Sequence, residues 1–63
     1  MHHYRCYFLN ADGRIADFQE LTKYRNDVAV RRAAIELLNE RPQYRGVAVW
    51  ERNRKVFEEI FKD

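Results

Sequence analysis

The stretch Asn10-Ala11-Asp12-Gly13 constrains this chain more than any other part of it. It lies between the aromatic run Tyr4-Arg5-Cys6-Tyr7-Phe8-Leu9 and the mixed run Arg14-Ile15-Ala16-Asp17-Phe18-Gln19-Glu20-Leu21. An Asp-Gly pair between two strand-like segments is a strong hairpin signal, because the turn needs backbone angles that these two residues tolerate. The register that the turn sets decides whether Tyr7 or Phe8 faces away from the core, since a slip of one residue exchanges the two faces.

Alternation in the first run puts Tyr4, Cys6 and Phe8 on one side and Arg5, Tyr7 and Leu9 on the other. Apolar residues on both faces are the mark of a central strand. In the second run Ala16 and Phe18 share one side, and Ile15, Asp17, Gln19 and Leu21 the other. This reads as an edge strand, or as one with a bulge near Gln19 that returns Leu21 to the core.

From Asn26 the period changes, and Val30, Ala33, Ala34, Leu37 and Leu38 fall on one helical face. Asn26 or Asp27 can accept the free amide hydrogens of the first turn, and the charge of Asp27 suits the positive end of the helix dipole. Arg41 stands at the other end, where a cation is favourable, and Pro42 stops the helix near Glu40 or Arg41. Gly46-Val47-Ala48-Val49-Trp50 then reads as a third strand and Glu51-Arg52-Asn53-Arg54 as a polar turn. The segment after it is ambiguous. As a strand, Lys55-Val56-Phe57-Glu58-Glu59 pairs back on the third strand, yet Val56, Phe57, Ile60 and Phe61 also share a helical face. A short strand over 54–58 is the expectation, with a carboxyl-terminal helix as the alternative. The fold class is therefore α+β: a single ββαββ domain over 1–63, with an antiparallel sheet in the order 2-1-3-4 and the helix across one face.

At 63 residues the chain has room for one small core, since a domain of this size buries only about 60% of the surface its unfolded chain exposes. Twelve basic and 10 acidic residues leave a formal net charge of +2, too mild to demand a nucleic-acid partner. The lone Cys6 excludes an intramolecular disulfide, and no signal-like segment opens the chain, so a reducing cytoplasmic location is expected. No stretch approaches the roughly 20 apolar residues that span a bilayer.

Little in the chain points to catalysis. It has no Gly-x-Ser-x-Gly, no Gly-rich phosphate loop and no paired metal-ligand clusters. Asp12 belongs to the turn and Asp17 to a solvated strand face, so they do not read as a catalytic pair. We expect no enzyme activity, no catalytic residue and no cofactor. Met1-His2-His3 has the spacing of a terminal Cu(II) or Ni(II) site, but the simpler reading is a terminus with incidental histidines. Cys6 reads as a small buried hydrophobe, and no metal site is assigned.

Two kinds of partner remain. One helix covers one face of a four-stranded sheet, so Arg5, Tyr7, Leu9, Ala48 and Trp50 are expected on the uncovered face. Exposed apolar patches mark interfaces, and Trp, Tyr and Arg are enriched at their hot spots. The expected partner is a second copy of the chain, paired face to face or edge to edge, or another protein. A monomer in which Ile60 and Phe61 cover Tyr7 and Trp50 is the competing arrangement. The alternative is a nucleic-acid-binding or regulatory module using Arg31, Arg32, Arg52, Arg54 and Lys55 on phosphates, with Tyr7 or Trp50 stacking on bases. The interleaved Glu36, Glu40, Glu51, Glu58 and Glu59 weaken that reading.

The aromatic strand Tyr4-Arg5-Cys6-Tyr7-Phe8-Leu9, the Asp12-Gly13-Arg14-Ile15 turn, the helical Ala34-Ile35-Glu36-Leu37-Leu38 and the strand Val47-Ala48-Val49-Trp50-Glu51 together resemble a group of short uncharacterised alphaproteobacterial proteins. The resemblance spans nearly the whole chain and implies a shared architecture. Its motifs are structural, so it implies no activity and no catalytic residue. The tail after Val56 departs from the pattern, as does Arg52-Asn53 where many such chains have Asp-Gly.

Overall fold

In the computed structural model, which describes residues 2–61, the turn forms as its composition requires. The Gly13 N–H donates to the Asn10 carbonyl and the Asn10 N–H to the Arg14 carbonyl, both at 2.9 Å. Gly13 adopts φ 85°, a left-handed conformation open to glycine at little cost. Asp12 Oδ1 accepts the Arg14 N–H at 2.9 Å and fixes the exit from the turn.

The turn joins β1 (Tyr4–Leu9) to β2 (Ile15–Leu21). The helix α1 (Asp27–Asn39) leads to a second hairpin, β3 (Gly46–Glu51) and β4 (Arg54–Ile60). All pairings are antiparallel and the strand order is β2-β1-β3-β4. The expected ββαββ architecture and its sheet order are thus found.

Two bulges differ from expectation. Phe8 lies opposite Asp17 and Leu9 opposite Ile15, so the extra residue on β2 is Ala16. The bulge therefore lies next to the hairpin turn and not near Gln19. It moves Ile15 to the face opposite Asp17, Gln19 and Leu21, and Leu21 reaches the core by plain alternation. On β4, Phe57 pairs with Val49 and Lys55 with Trp50, which leaves Val56 as the extra residue. The expected last strand forms from Arg54 and runs beyond Glu58, staying paired with β3 as far as Ile60, so among the described residues the helical alternative does not form. The Val56 bulge explains the ambiguity: it lets Val56 and Phe57, neighbours in sequence, both pack against the core, which imitates helical spacing. Lys62 and Asp63 lie outside the described residues.

The helix starts where the side chain of Asn26 accepts the Ala29 N–H at 2.9 Å and ends at Asn39, with Glu40 as its carboxyl cap. Arg41 falls just beyond the last turn. Its guanidinium turns to the sheet, donating to Gln19 Oε1 at 2.8 Å and lying 4.5 Å over the Phe8 ring. Val30, Ala34 and Leu38 pack on Tyr4, Cys6, Phe8, Val47 and Val49 to form the core. Each large apolar side chain fully buried here stabilises the fold by about 1.5–3 kcal/mol. Among the described residues no helix is long and apolar enough to cross a membrane.

The rim of this core is pinned by charge. The buried Tyr4 ring sends its hydroxyl to Asp27 Oδ1 at 2.9 Å. Arg54 Nη1 and Nη2 donate to the two oxygens of Asp27 at 3.0 and 3.1 Å, and Nη2 also donates to Glu51. The Arg54 guanidinium, and secondarily the Tyr4 hydroxyl, hold the Asp27 carboxyl below its ordinary range. Burial, with the hydrogen bond to Asp27 second, pushes the Tyr4 phenol up to about 12. One carboxylate thus joins β1, the first turn of α1 and β4.

Candidate interaction face

The register fixes what the uncovered face carries. Because Tyr4, Cys6 and Phe8 face the helix, Arg5, Tyr7 and Leu9 point the other way, as do the residues paired with them. Three rows cross the sheet from β2 to β4. At the turn end of β1 the row is Ile15, Leu9, Gly46 and Ile60; in the middle it is Phe18, Tyr7, Ala48 and Glu58; at the far end it is Glu20, Arg5, Trp50 and Lys55. The five residues expected on this face, Arg5, Tyr7, Leu9, Ala48 and Trp50, all lie on it. Leu9 and Ala48 are buried among their neighbours, Tyr7 and Trp50 are half-buried, and Arg5 is exposed.

Sequence reasoning missed the most exposed apolar members. Ile15 is 62% exposed and Phe18 52%. Phe18 is opposite Tyr7 across the β1–β2 pair, with their rings 6.2 Å apart, and the Arg5 guanidinium is 5.1 Å from the Phe18 ring. Placing the bulge at Ala16, beside the turn, would have found both. The packing contacts of α1 are with β3, β1 and β4, and among the described residues no element lies over the opposite face. Ile60 pairs with Gly46, at the opposite end of β3 from Trp50, and Phe61 is 45% exposed. Ile60 and Phe61 therefore do not cover Trp50.

The face is uneven. The space over Gly46 is taken up by Ile60 and the β4 backbone, whereas Ala48 leaves the middle of β3 low beside Tyr7. A groove of about 450 Å³ runs here, lined by Tyr7, Leu9, Ile15, Ala48 and Trp50 and reaching Lys55 and Glu58. Its rim carries both signs of charge. Arg5 and His3 bond Glu20 at 3.2 and 3.1 Å, and together hold its carboxyl below the usual range, His3 contributing first. Lys55 pairs with Glu58 at 2.6 Å and lies 5.9 Å from the Trp50 ring.

Both sheet edges carry features that resist a further strand. On β2 the Phe18 N–H is taken by the Asp17 carboxylate at 2.8 Å, beside the Ala16 bulge. Edge strand β4 carries Lys55, Glu58 and Glu59. Bulges and charged side chains are the means by which sheets resist edge pairing.

The five basic residues of the nucleic-acid reading do not share one surface. Arg31 lies 4.9 Å over the Phe57 ring, which pairs with Val49 on the helix side. Arg54 is held by Asp27 and Glu51. Lys55 is on the open face, tied to Glu58. Arg32 is exposed on α1, and Arg52 is exposed in the β3–β4 turn with φ 56°. A shallow hollow of about 370 Å³ does gather His3, Arg5 and Arg52 with Tyr7 and Trp50.

Of the proposed terminal metal motif, Met1 lies outside the described residues. His2 Nδ1 bonds Glu51 at 2.5 Å, and His3 is engaged by Glu20. Cys6 is fully buried on the helix side, and burial pushes its thiol up to about 11, as suits the role of a small hydrophobe. Among the described residues no cluster of three or more His, Cys, Asp or Glu is placed to hold a metal ion. Compared with known protein families, curated proteins and solved structures, the chain finds no match.

Proposed function

We propose that this chain is a small non-catalytic module that acts through protein contacts and pairs with a second copy of itself through the open face of its sheet. The observation that carries this reading is the pair Ile15 and Phe18, more than half exposed, beside half-buried Tyr7 and Trp50 on a face that no described element covers. In water that surface is costly, and covering it is favourable in proportion to the apolar area removed. A cytoplasmic location fits the single, buried thiol of Cys6. Sedimentation at rising concentration tests the reading. Wild-type protein is expected to self-associate in the micromolar range, and Trp50→Ala or Phe18→Ala to weaken it. A monomer at several hundred micromolar would end the proposal.

A second reading, binding of single-stranded nucleic acid, draws support from the hollow that sets His3, Arg5 and Arg52 beside two aromatic rings. Salt separates the two, since phosphate binding weakens steeply as salt rises while apolar pairing holds. A fluorescence titration of Trp50 with mixed single-stranded RNA decides it, and the absence of a salt-sensitive change removes this reading.

A further inference from the structure

We infer that two copies pair face to face about a twofold axis running along the strands, so that β1 of each copy lies over β3 of the other and β2 over β4. This rests on the self-association proposed above and adds its geometry. Sheets packed face to face keep their strands within about 30° of each other, so each row of the open face meets the same row of the partner in reverse order.

The rows are complementary to their own reversal. In the row nearest the turn, Ile15 meets Ile60 of the second copy, while Leu9 and Gly46, both already buried within their own sheet, lie between these contacts. In the middle row Tyr7 meets Ala48, so each aromatic ring enters the low centre of the facing sheet. In the last row Glu20 meets Lys55, opposite charges, and Arg5 meets Trp50, a cation on the aromatic ring best suited to receive it. Phe18 over Glu58 is the least matched contact, and it lies next to the Ala48 floor.

The other face-to-face twofold runs across the strands and sets each strand over itself. It puts Glu58 on Glu58, leaves Glu20 over Ile15 and Lys55 over Ile60, and stacks Tyr7 on Tyr7 above an unfilled Ala48. Like charges facing each other are costly at an interface. Edge-to-edge growth meets the amide already taken by Asp17 on one side and the charges of β4 on the other. The pairing along the strands satisfies both faces at once and closes at two copies, as an isologous contact does.

Charge reversal at the one matched ion pair tests the geometry. Both side chains are exposed, at 47% for Glu20 and 45% for Lys55, so Glu20→Lys and Lys55→Glu should fold, which far-ultraviolet circular dichroism checks. Each variant alone faces like charges twice across the axis and should pair about tenfold more weakly than wild type. Mixed one to one, they should form a heterodimer close to wild-type affinity. In that heterodimer the introduced lysine faces the introduced glutamate at one contact, and the native Glu20 and Lys55 face each other at the second. Sedimentation of the separate and mixed samples, with one chain fluorescently tagged, reads this directly. Recovery on mixing supports the arrangement. A wild-type dimer with no recovery on mixing overturns this geometry and leaves self-association standing, whereas a monomeric wild type removes self-association itself.

Discussion

Replacing Gly46 by alanine sets two physical accounts of this sheet against each other. Gly46 opens β3 and has no left-handed backbone angle to protect. By backbone preference alone the change should stabilise, because glycine in a strand is worse than alanine by roughly 0.5–1 kcal/mol. The geometry says otherwise. A Cβ built there would lie 2.6 Å from the Glu59 carbonyl oxygen, with Ile60 Cγ1 at 3.0 Å and Ile60 Cα at 3.1 Å. The nearest atom belongs to the backbone of β4, so no side-chain rotation relieves the contact, and the strands must separate. Forcing an extra carbon into a packed site costs about 1–3 kcal/mol. The net expectation is a loss of about 1–2 kcal/mol, or roughly 4–16 °C in melting temperature for a domain of this size. Urea unfolding followed by the fluorescence of Trp50, four residues along the same strand, measures it. A Gly46→Ala variant as stable as wild type, or more so, would refute the close β3–β4 approach.

Three further outcomes follow from the described contacts. Arg54 first and Tyr4 second lower the Asp27 pKa; Arg54 and then His2 do the same for Glu51. The stability these groups give is complete above the ordinary carboxylate range and fades as pH falls below about 4. Asp27→Asn should therefore flatten the acid limb of stability against pH, and an unchanged slope would contradict the Arg54–Asp27 bridge. Asn26→Ala should cost about 0.5–2 kcal/mol by removing the side-chain acceptor of the Ala29 N–H, read as a lower urea midpoint. Cys6, buried with its thiol raised to about 11, should resist a thiol reagent at neutral pH and react at once in denaturant. Rapid labelling of the folded chain would contradict its placement.

Much of the fold was legible because local chemistry and the final structure agree. The Asp12-Gly13 pair, the apolar spacing from Val30 to Leu38 and the stop at Pro42 each act within a few residues. The apolar character of both faces of β1 marked it as central, and with it the order of the sheet. The bulges at Ala16 and Val56 escaped because a bulge is a property of two paired strands, and neither residue announces it alone. The first hid the exposure of Ile15 and Phe18; the second made a strand resemble a helix. The expected face was placed correctly from alternation in β1 and β3, whereas its contributions from β2 and β4, among them Glu20, Lys55 and Glu58, depend on cross-strand register. Arg54 and Lys55 read as adjacent basic residues, yet they serve different surfaces: one binds Asp27 at the helix start and the other lies beside Trp50 on the open face.

The order β2-β1-β3-β4 also divides the polypeptide into two local hairpins that meet along one seam. Each hairpin closes a short loop, which costs little chain entropy, while the β1–β3 seam must wait until the whole helical connection has been brought around. Assembly of this protein is then a docking event between two halves made at different times during synthesis. Cys6 and Val49, paired across that seam, stand where substitutions should slow folding, and residues at the outer edge of β4 stand where substitutions should mainly hasten unfolding.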